Sequence, residues 1–179
     1  RKAIEALGRR KDPSSLPVIH EALSSDDDPT VVNAVDALIT IGLPLTADVK
    51  TTLLTLLLQG SAAIQRVSIQ CFSRLDVNDC APQIAPFEAH TDYLVSGAAL
   101  AYLVRCTGSL ERLESLSARL SDITVGIRRA AVIDLGDAGH EASLSALASS
   151  AVSMPLRAKS ALRILGRNQQ YRLNPFLQA

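Results

Sequence analysis

The chain has 179 residues, 47% of them apolar and 20% charged, enough length and hydrophobic content for one ordinary domain and too much for a disordered chain. Its 18 basic groups balance 18 acidic ones, which argues against nucleic acid as the main ligand, and no stretch approaches the roughly 18 uninterrupted apolar residues of a membrane span. Three Tyr, three Phe and no Trp leave the core to Leu, Ile, Val and Ala, which fill narrow gaps between helices and favour stacked helices over a sandwich of sheets.

The predicted elements alternate. The chain opens on RKAIEALG, the tail of a helix that should stop at Gly8. A first helix at 14–23 is followed by VVNAVDALITIG from Val31, one at 47–58 by IQRVSIQCFSRL from Ile64, and one at 80–89 by VSGAALAYLVRC from Val95. The helix at 110–120 precedes IRRAAVIDLG from Ile127, and that at 141–149 precedes LRAKSALRILG from Leu156. The aliphatic anchors Val31, Ile64, Val95, Ile127 and Leu156 are spaced by 33, 31, 32 and 29 residues, the length of two helices and two short turns. Small residues after the anchors, Ala34, Ala98, Ala99, Ala130 and Ala131, let neighbouring helices approach closely. Asp12-Pro13, Asp28-Pro29 and Asn174-Pro175 read as helix starts, and Gly8, Gly42, Gly139 and Gly166 as helix ends. The chain ends on the helix-capable LNPFLQA, so a single repeat domain over 1–179, cut at both ends, is expected.

The charge balance hides an asymmetry: residues 1–92 hold 8 basic and 12 acidic groups, residues 93–179 hold 10 and 6. After Glu141 there is no acid, while Arg157, Lys159, Arg163, Arg167 and Arg172 follow, so this end should attract an acidic partner. Arg outnumbers Lys by 14 to 4, a bias that suits planar carboxylates and flat conjugated surfaces, and structural ion pairs equally. The odd count of cysteines, Cys71, Cys80 and Cys106, without CxxC spacing fits free thiols in a reducing compartment. Cys71 and Cys106 fall at packing positions.

The series resembles HEAT-like repeats, which implies an all-α fold, a HEAT-like α-α superhelix (solenoid) of about five helix pairs. Its first part, AIEALGRRKDPSSLPVIHEALSSDDDPTVVNAVDALITIG over 3–42, is similar to the N-terminal repeats of the phycobilin lyase family (E/F-type), and within it to the F-type subunits of cyanobacteria and red-lineage plastids. Ala34-Val35-Asp36-Ala37-Leu38-Ile39 with Ile41-Gly42 carries the likeness. The stretch Gly60 to Arg66 lacks the aromatic of the family's YGAR-type segment, which leaves a lyase and a chaperone-like role both open.

The resemblance implies a bilin, an open-chain tetrapyrrole with two propionates, as substrate, with no permanently bound cofactor. It also implies a phycobiliprotein subunit as partner, with a second lyase subunit beside it, in cyanobacterial cytoplasm or plastid stroma. The bilin would be joined to a phycobiliprotein cysteine by thioether addition across a vinylidene group. Arginines of the second helices, Arg66, Arg105, Arg128, Arg129, Arg157 and Arg163, would hold propionates or the partner. Arg128 can instead be a repeat-ladder residue paired with Asp122 or Asp92. Asp134 lies seven residues past its anchor, where the neighbouring copies carry Tyr102 and Cys71; an acid at a packing position must pair with an arginine, serve pyrrole N–H groups or be less buried than the pattern suggests. Tyr93 and Tyr102, expected close together, either stack on the tetrapyrrole or belong to the core. The His20-Glu21 and His140-Glu141 dipeptides invite comparison with di-iron HEAT-repeat hydroxylases, but two pairs on first helices make no metal site. The competing function is a non-enzymatic interaction scaffold.

Overall fold

The computed structural model describes residues 2–168, so the LNPFLQA segment, the Asn174-Pro175 cap and Arg172 lie outside the described residues. Within them lie eleven α-helices: α1 (Lys2–Arg10), α2 (Leu16–Ala22), α3 (Asp28–Ile41), α4 (Ala47–Gln59), α5 (Ala62–Arg74), α6 (Ala81–Ile84), α7 (Tyr93–Thr107), α8 (Leu110–Ala118), α9 (Val125–Ala138), α10 (Ser143–Ser149) and α11 (Met154–Arg167). Short 3-10 turns at Pro13–Ser15, Ala85–Ala89 and Arg119–Ser121 extend three of the first helices. Each second helix, α3, α5, α7, α9 and α11, carries its anchor as its third or fourth residue. The repeat read from spacing is therefore the repeat of the fold.

The chain divides into two compact units, 1–83 and 84–179. In the first, α3 packs between α1 and α5, with α2 against α3 and α4 against α5. Ile19, Leu23, Val31, Val35, Leu53 and Leu57 are fully or almost fully buried there, each worth about 1.5–3 kcal/mol on transfer from water. In the second, α9 packs between α7 and α11, α8 lies against both α7 and α9, and α10 lies against α11. Its core includes Val104, Leu116, Val132, Leu135, Leu147 and Ile164. Layers of this kind bury each helix's apolar face against its neighbours in sequence, which is why no single pair would stand alone. Among the described residues no helix is long and apolar enough to cross a membrane.

Two of the expected stops differ. Gly42 and Gly139 do close α3 and α9 in the left-handed conformation, at φ 75° and 72°. Gly8 and Gly166 instead lie within α1 and α11. At Gly8 a Cβ would come within 2.8 Å of the Ala37 Cβ, so this glycine sets how closely α1 approaches α3. Asp12 caps the turn at Pro13–Ser15, accepting from the Ser14 N–H at 2.9 Å. The cap of α3 is Asp27, which accepts from the Thr30 N–H at 3.1 Å. Asp28 is thereby the first helical residue and Pro29 sits in the first turn, where its missing N–H has no intrahelical partner to lose. The three cysteines are free, Cys71 and Cys80 buried and Cys106 half-buried.

Candidate functional site

The position seven residues past the first four anchors is a packing position: Leu38, Cys71, Tyr102 and Asp134 are all buried. Burial pushes the Cys71 thiol up to about 12. Tyr102 is wholly buried, so it belongs to the core and presents no ring face to a ligand. Tyr93, at the start of α7, is 38% exposed. Nine residues separate them on one helix, about 13 Å along the axis, so the two tyrosines do not form one wall. The Tyr93 hydroxyl lies beside Gly126 instead, where a Cβ would meet it at 3.3 Å.

Asp134 is 1% exposed on α9. A Cβ built on Gly97 of α7 would lie 2.5 Å from Asp134 Oδ2 and 3.1 Å from Arg119 Nη1. Carboxylate and guanidinium thus occupy the space above a residue without a side chain. Arg119, from the Arg119–Ser121 turn, also donates to the Tyr93 carbonyl at 2.8 Å and to Ser96 Oγ at 2.9 Å. Asp134 and Arg119 thus approach the same point above Gly97 from α9 and from the Arg119–Ser121 turn.

One turn further along α9 is a second buried acid. Asp137 Oδ1 accepts from Arg163 Nη1 of α11 at 2.8 Å, with the side chains 2% and 26% exposed. The Asp137 carbonyl accepts from Arg167 Nη1 at 2.5 Å. Arg167 reaches it across Gly139, where a Cβ would stand 3.2 Å from the same nitrogen. Arg105, half-buried on α7, faces this group: desolvation first, then repulsion from Arg167, pulls its guanidinium down to about 10, against weaker support from Cys106 and Asp137. The sequence singles out Arg105 and Arg163 as pigment or partner candidates and Arg167 as part of the basic C-terminal run, but not Asp137. A signal for Asp137 existed, because it lies ten residues past its anchor, the offset of Arg105 in the preceding repeat.

The remaining arginines separate by role. Arg128 Nη1 donates to the carbonyls of Asp122 and Ile123 at 2.6 and 2.9 Å. It therefore caps the segment that follows the Arg119–Ser121 turn through backbone oxygens, and the carboxylates of Asp122 and Asp92 accept from the Thr124 and Leu94 N–H groups. Its side chain lines a crevice of about 540 Å³ shared with Ser117, Ser121, Ser149 and Ser150, on the side of the first helices. Arg157, one residue past its anchor like Arg128, donates to the Ala148 carbonyl in the same manner. Arg129, the next residue on α9, is exposed, and Arg66 is half-buried on α5 in the first unit. Among the described residues no group of His, Cys, Asp and Glu could hold a metal ion.

The HEAT repeats family matches residues 1–70. The bilin biosynthesis protein PecE of a Nostoc species is 32% identical over 166 residues, 92% of this chain and 64% of that protein. The chain is thus similar to bilin biosynthesis proteins over most of its length and to HEAT repeats over residues 1–70. A phycocyanin operon protein Y of Pseudanabaena tenuis, itself described as uncharacterized, is 34% identical over 88% of this chain and 37% of its own length. The chain thus spans between about a third and two thirds of these curated relatives. The complex of CpcE and CpcF of phycocyanin lyase from Nostoc matches at a TM-score of 0.79 with 22% identity, over 97% of this chain and 68% of that one, which shows the helical repeat fold.

Proposed function

We propose that this chain is part of a phycobilin lyase, or of a chaperone-like partner of one, acting on a phycobiliprotein subunit in cyanobacterial cytoplasm or plastid stroma. The observation that carries this is extent. Similarity to a bilin biosynthesis protein runs over 92% of the chain, whereas the general HEAT pattern accounts for residues 1–70. The likeness therefore includes the second unit, where the buried acids and their arginines lie.

The reaction needs little from such a surface. Addition of a thiol across the exocyclic double bond of a bilin forms one S–C bond and delivers the thiol proton to the neighbouring carbon. Nothing is oxidised and nothing leaves. The contribution required is to hold the bilin in one orientation while the acceptor thiolate attacks one face, an effect of position rather than of a nucleophile on this chain. Half-buried and exposed arginines on second helices, Arg66, Arg105 and Arg129, are the groups we assign to bilin or partner contact, with a second lyase subunit completing the site.

The test is co-expression of the chain with bilin-synthesis enzymes and a phycobiliprotein subunit, reading covalent pigment on that subunit by zinc fluorescence and absorbance. Pigmented subunit above the level without the chain supports the proposal. No adduct and no bilin absorbance on either protein would leave the interaction scaffold as the better reading.

A further inference from the structure

We propose that the first unit holds a binding site for a small neutral ring compound with one N–H or O–H donor, in a cavity between α2, the end of α3 and the start of α4, with His20 Nε2 as the acceptor. None of the arginines assigned above to pigment or partner lines this cavity, so the site stands or falls apart from the bilin reading.

The cavity measures about 280 Å³, close to twice the ~150 Å³ that holds a benzene ring in a dry protein interior. It has room for one or two fused rings. Its lining is aliphatic: Leu38 and Val49 are 3% and 6% exposed, and Leu16, Ile41 and Leu45 are half-buried. His20 apart, no side chain there can carry a charge. An ion would lose its hydration without gaining a counter-charge, so the occupant is neutral.

The shape is set by backbone as much as by side chains. Gly42 ends α3 at φ 75° and turns the chain into residues 43–46. Within that segment Pro44 has its φ fixed by its ring, and Thr46 ties the segment to α4 by accepting from the Val49 N–H at 3.4 Å. On α2, Pro17 lies in the first turn and lines the same space. Walls pinned in this way keep the cavity from closing on itself, and an apolar guest restores the contacts that its lining lacks.

His20 gives the cavity its one specific polar contact. The ring lines the cavity, and its Nε2 is buried without a hydrogen-bond partner. Buried polar atoms are nearly always paired, and one that is not marks the place of a water or a ligand group. With the ring proton on Nδ1, Nε2 is a bare acceptor, which a ring N–H or O–H entering the cavity satisfies.

The full chain is titrated with indole and with indene, which share a fused-ring frame and differ in the N–H. Because the chain has no Trp, a blue shift of indole emission reports its burial directly, and calorimetry follows both compounds. The expected result is one-to-one binding with indole about fivefold tighter than indene, the worth of one neutral hydrogen bond. The preference should vanish in His20→Leu, and both compounds should bind at least tenfold more weakly in Ile41→Phe, whose larger side chain narrows the cavity. Circular dichroism of each variant checks that the helices persist. Equal binding of indole and indene by the unaltered chain would overturn the donor class and the role of His20. Binding of neither compound would leave a water as the partner of Nε2 and overturn the site. Indole binding unchanged in both variants would place the compound elsewhere and would overturn it as well.

Discussion

Gly136 and Gly166 lie on neighbouring helices, and the packing gives them opposite signs under the same substitution. A Cβ on Gly136 of α9 would stand 2.8 Å from the Ser160 Cβ and 2.9 Å from the Ser160 Cα of α11. Carbon atoms at rest lie about 3.5–4.0 Å apart, so α11 would have to retreat by close to an ångström, and rotation of the Ser160 hydroxyl gives no relief because one of the blocking atoms is backbone. Overpacking of this kind costs about 1–3 kcal/mol, against a gain of about 1 kcal/mol from the better helix former. Gly136→Ala should therefore be destabilising by up to about 2 kcal/mol, or roughly 4–8 °C in Tm for a chain of this size. At Gly166 nothing lies within 4 Å of the added methyl group. Gly166→Ala should stabilise by about 0.4–1 kcal/mol through the unfolded chain and helix propensity. Urea unfolding followed at 222 nm for both variants and the unaltered chain measures the pair. A Gly136→Ala chain as stable as Gly166→Ala would refute the close approach of α9 and α11, and with it the geometry that brings Arg163 to Asp137.

Arg163→Ala removes the cation from a carboxylate 2% exposed; with Arg167 still on the Asp137 carbonyl, a loss of about 1–3 kcal/mol is expected in the same unfolding assay. Cys71, with its thiol pushed up to about 12, should resist iodoacetamide at pH 8, where only about one thiol in ten thousand is ionised, and peptide mass spectrometry should find Cys106 alkylated first. Asp79 is held below the usual carboxylate range by the hydrogen bond from Lys50, whose own ammonium is held above its usual value by the same bond. Whatever this pair contributes is thus present between the two unfolded values, fades as pH falls through the lowered Asp79 value, and fades again as pH rises through the raised Lys50 value. Because Asp79 is 72% exposed, Lys50→Ala should leave the unfolding midpoint at pH 7 nearly unchanged. Arg66→Ala with Arg129→Ala should lower covalent pigment in the co-expression assay at unchanged helical content; undiminished pigment would remove both from the site.

What the sequence made legible is what is local or periodic. Anchors at spacings of 29–33 residues mark second helices because a repeat must present its aliphatic face at the same offset each time to stack on its neighbour. The same logic made Asp134 conspicuous: the offset that carries Leu38, Cys71 and Tyr102 is buried in each of those copies. The arginine near Asp134 was not legible, because Arg119 comes from a 3-10 turn at the end of a first helix and approaches the same point above Gly97, a glycine that reads as a generic small residue until α7 and α9 are seen face to face. Gly8 misled for a related reason. A glycine near a helix end serves a left-handed stop or a close approach equally well, and only the identity of the facing residue, Ala37, separates the two.

Asp137 shows where repeat arithmetic could have gone further. Ten residues past the anchors stand Arg74, Arg105 and Asp137 in successive copies, and in stacked repeats equal offsets on adjacent second helices are neighbours. An acid following an arginine at that offset therefore predicts opposite charges close together on α7 and α9, in keeping with the pull of Asp137 on the Arg105 guanidinium. Arg163 completes the contact from a different offset, seven past its anchor, because a guanidinium is long enough to cover one helical turn. Short side chains report their position through the repeat alone, whereas arginines report it only once the helices are placed. That is why the fold was readable from Leu, Ile, Val and Ala, and why the arrangement of a site built from arginines was not.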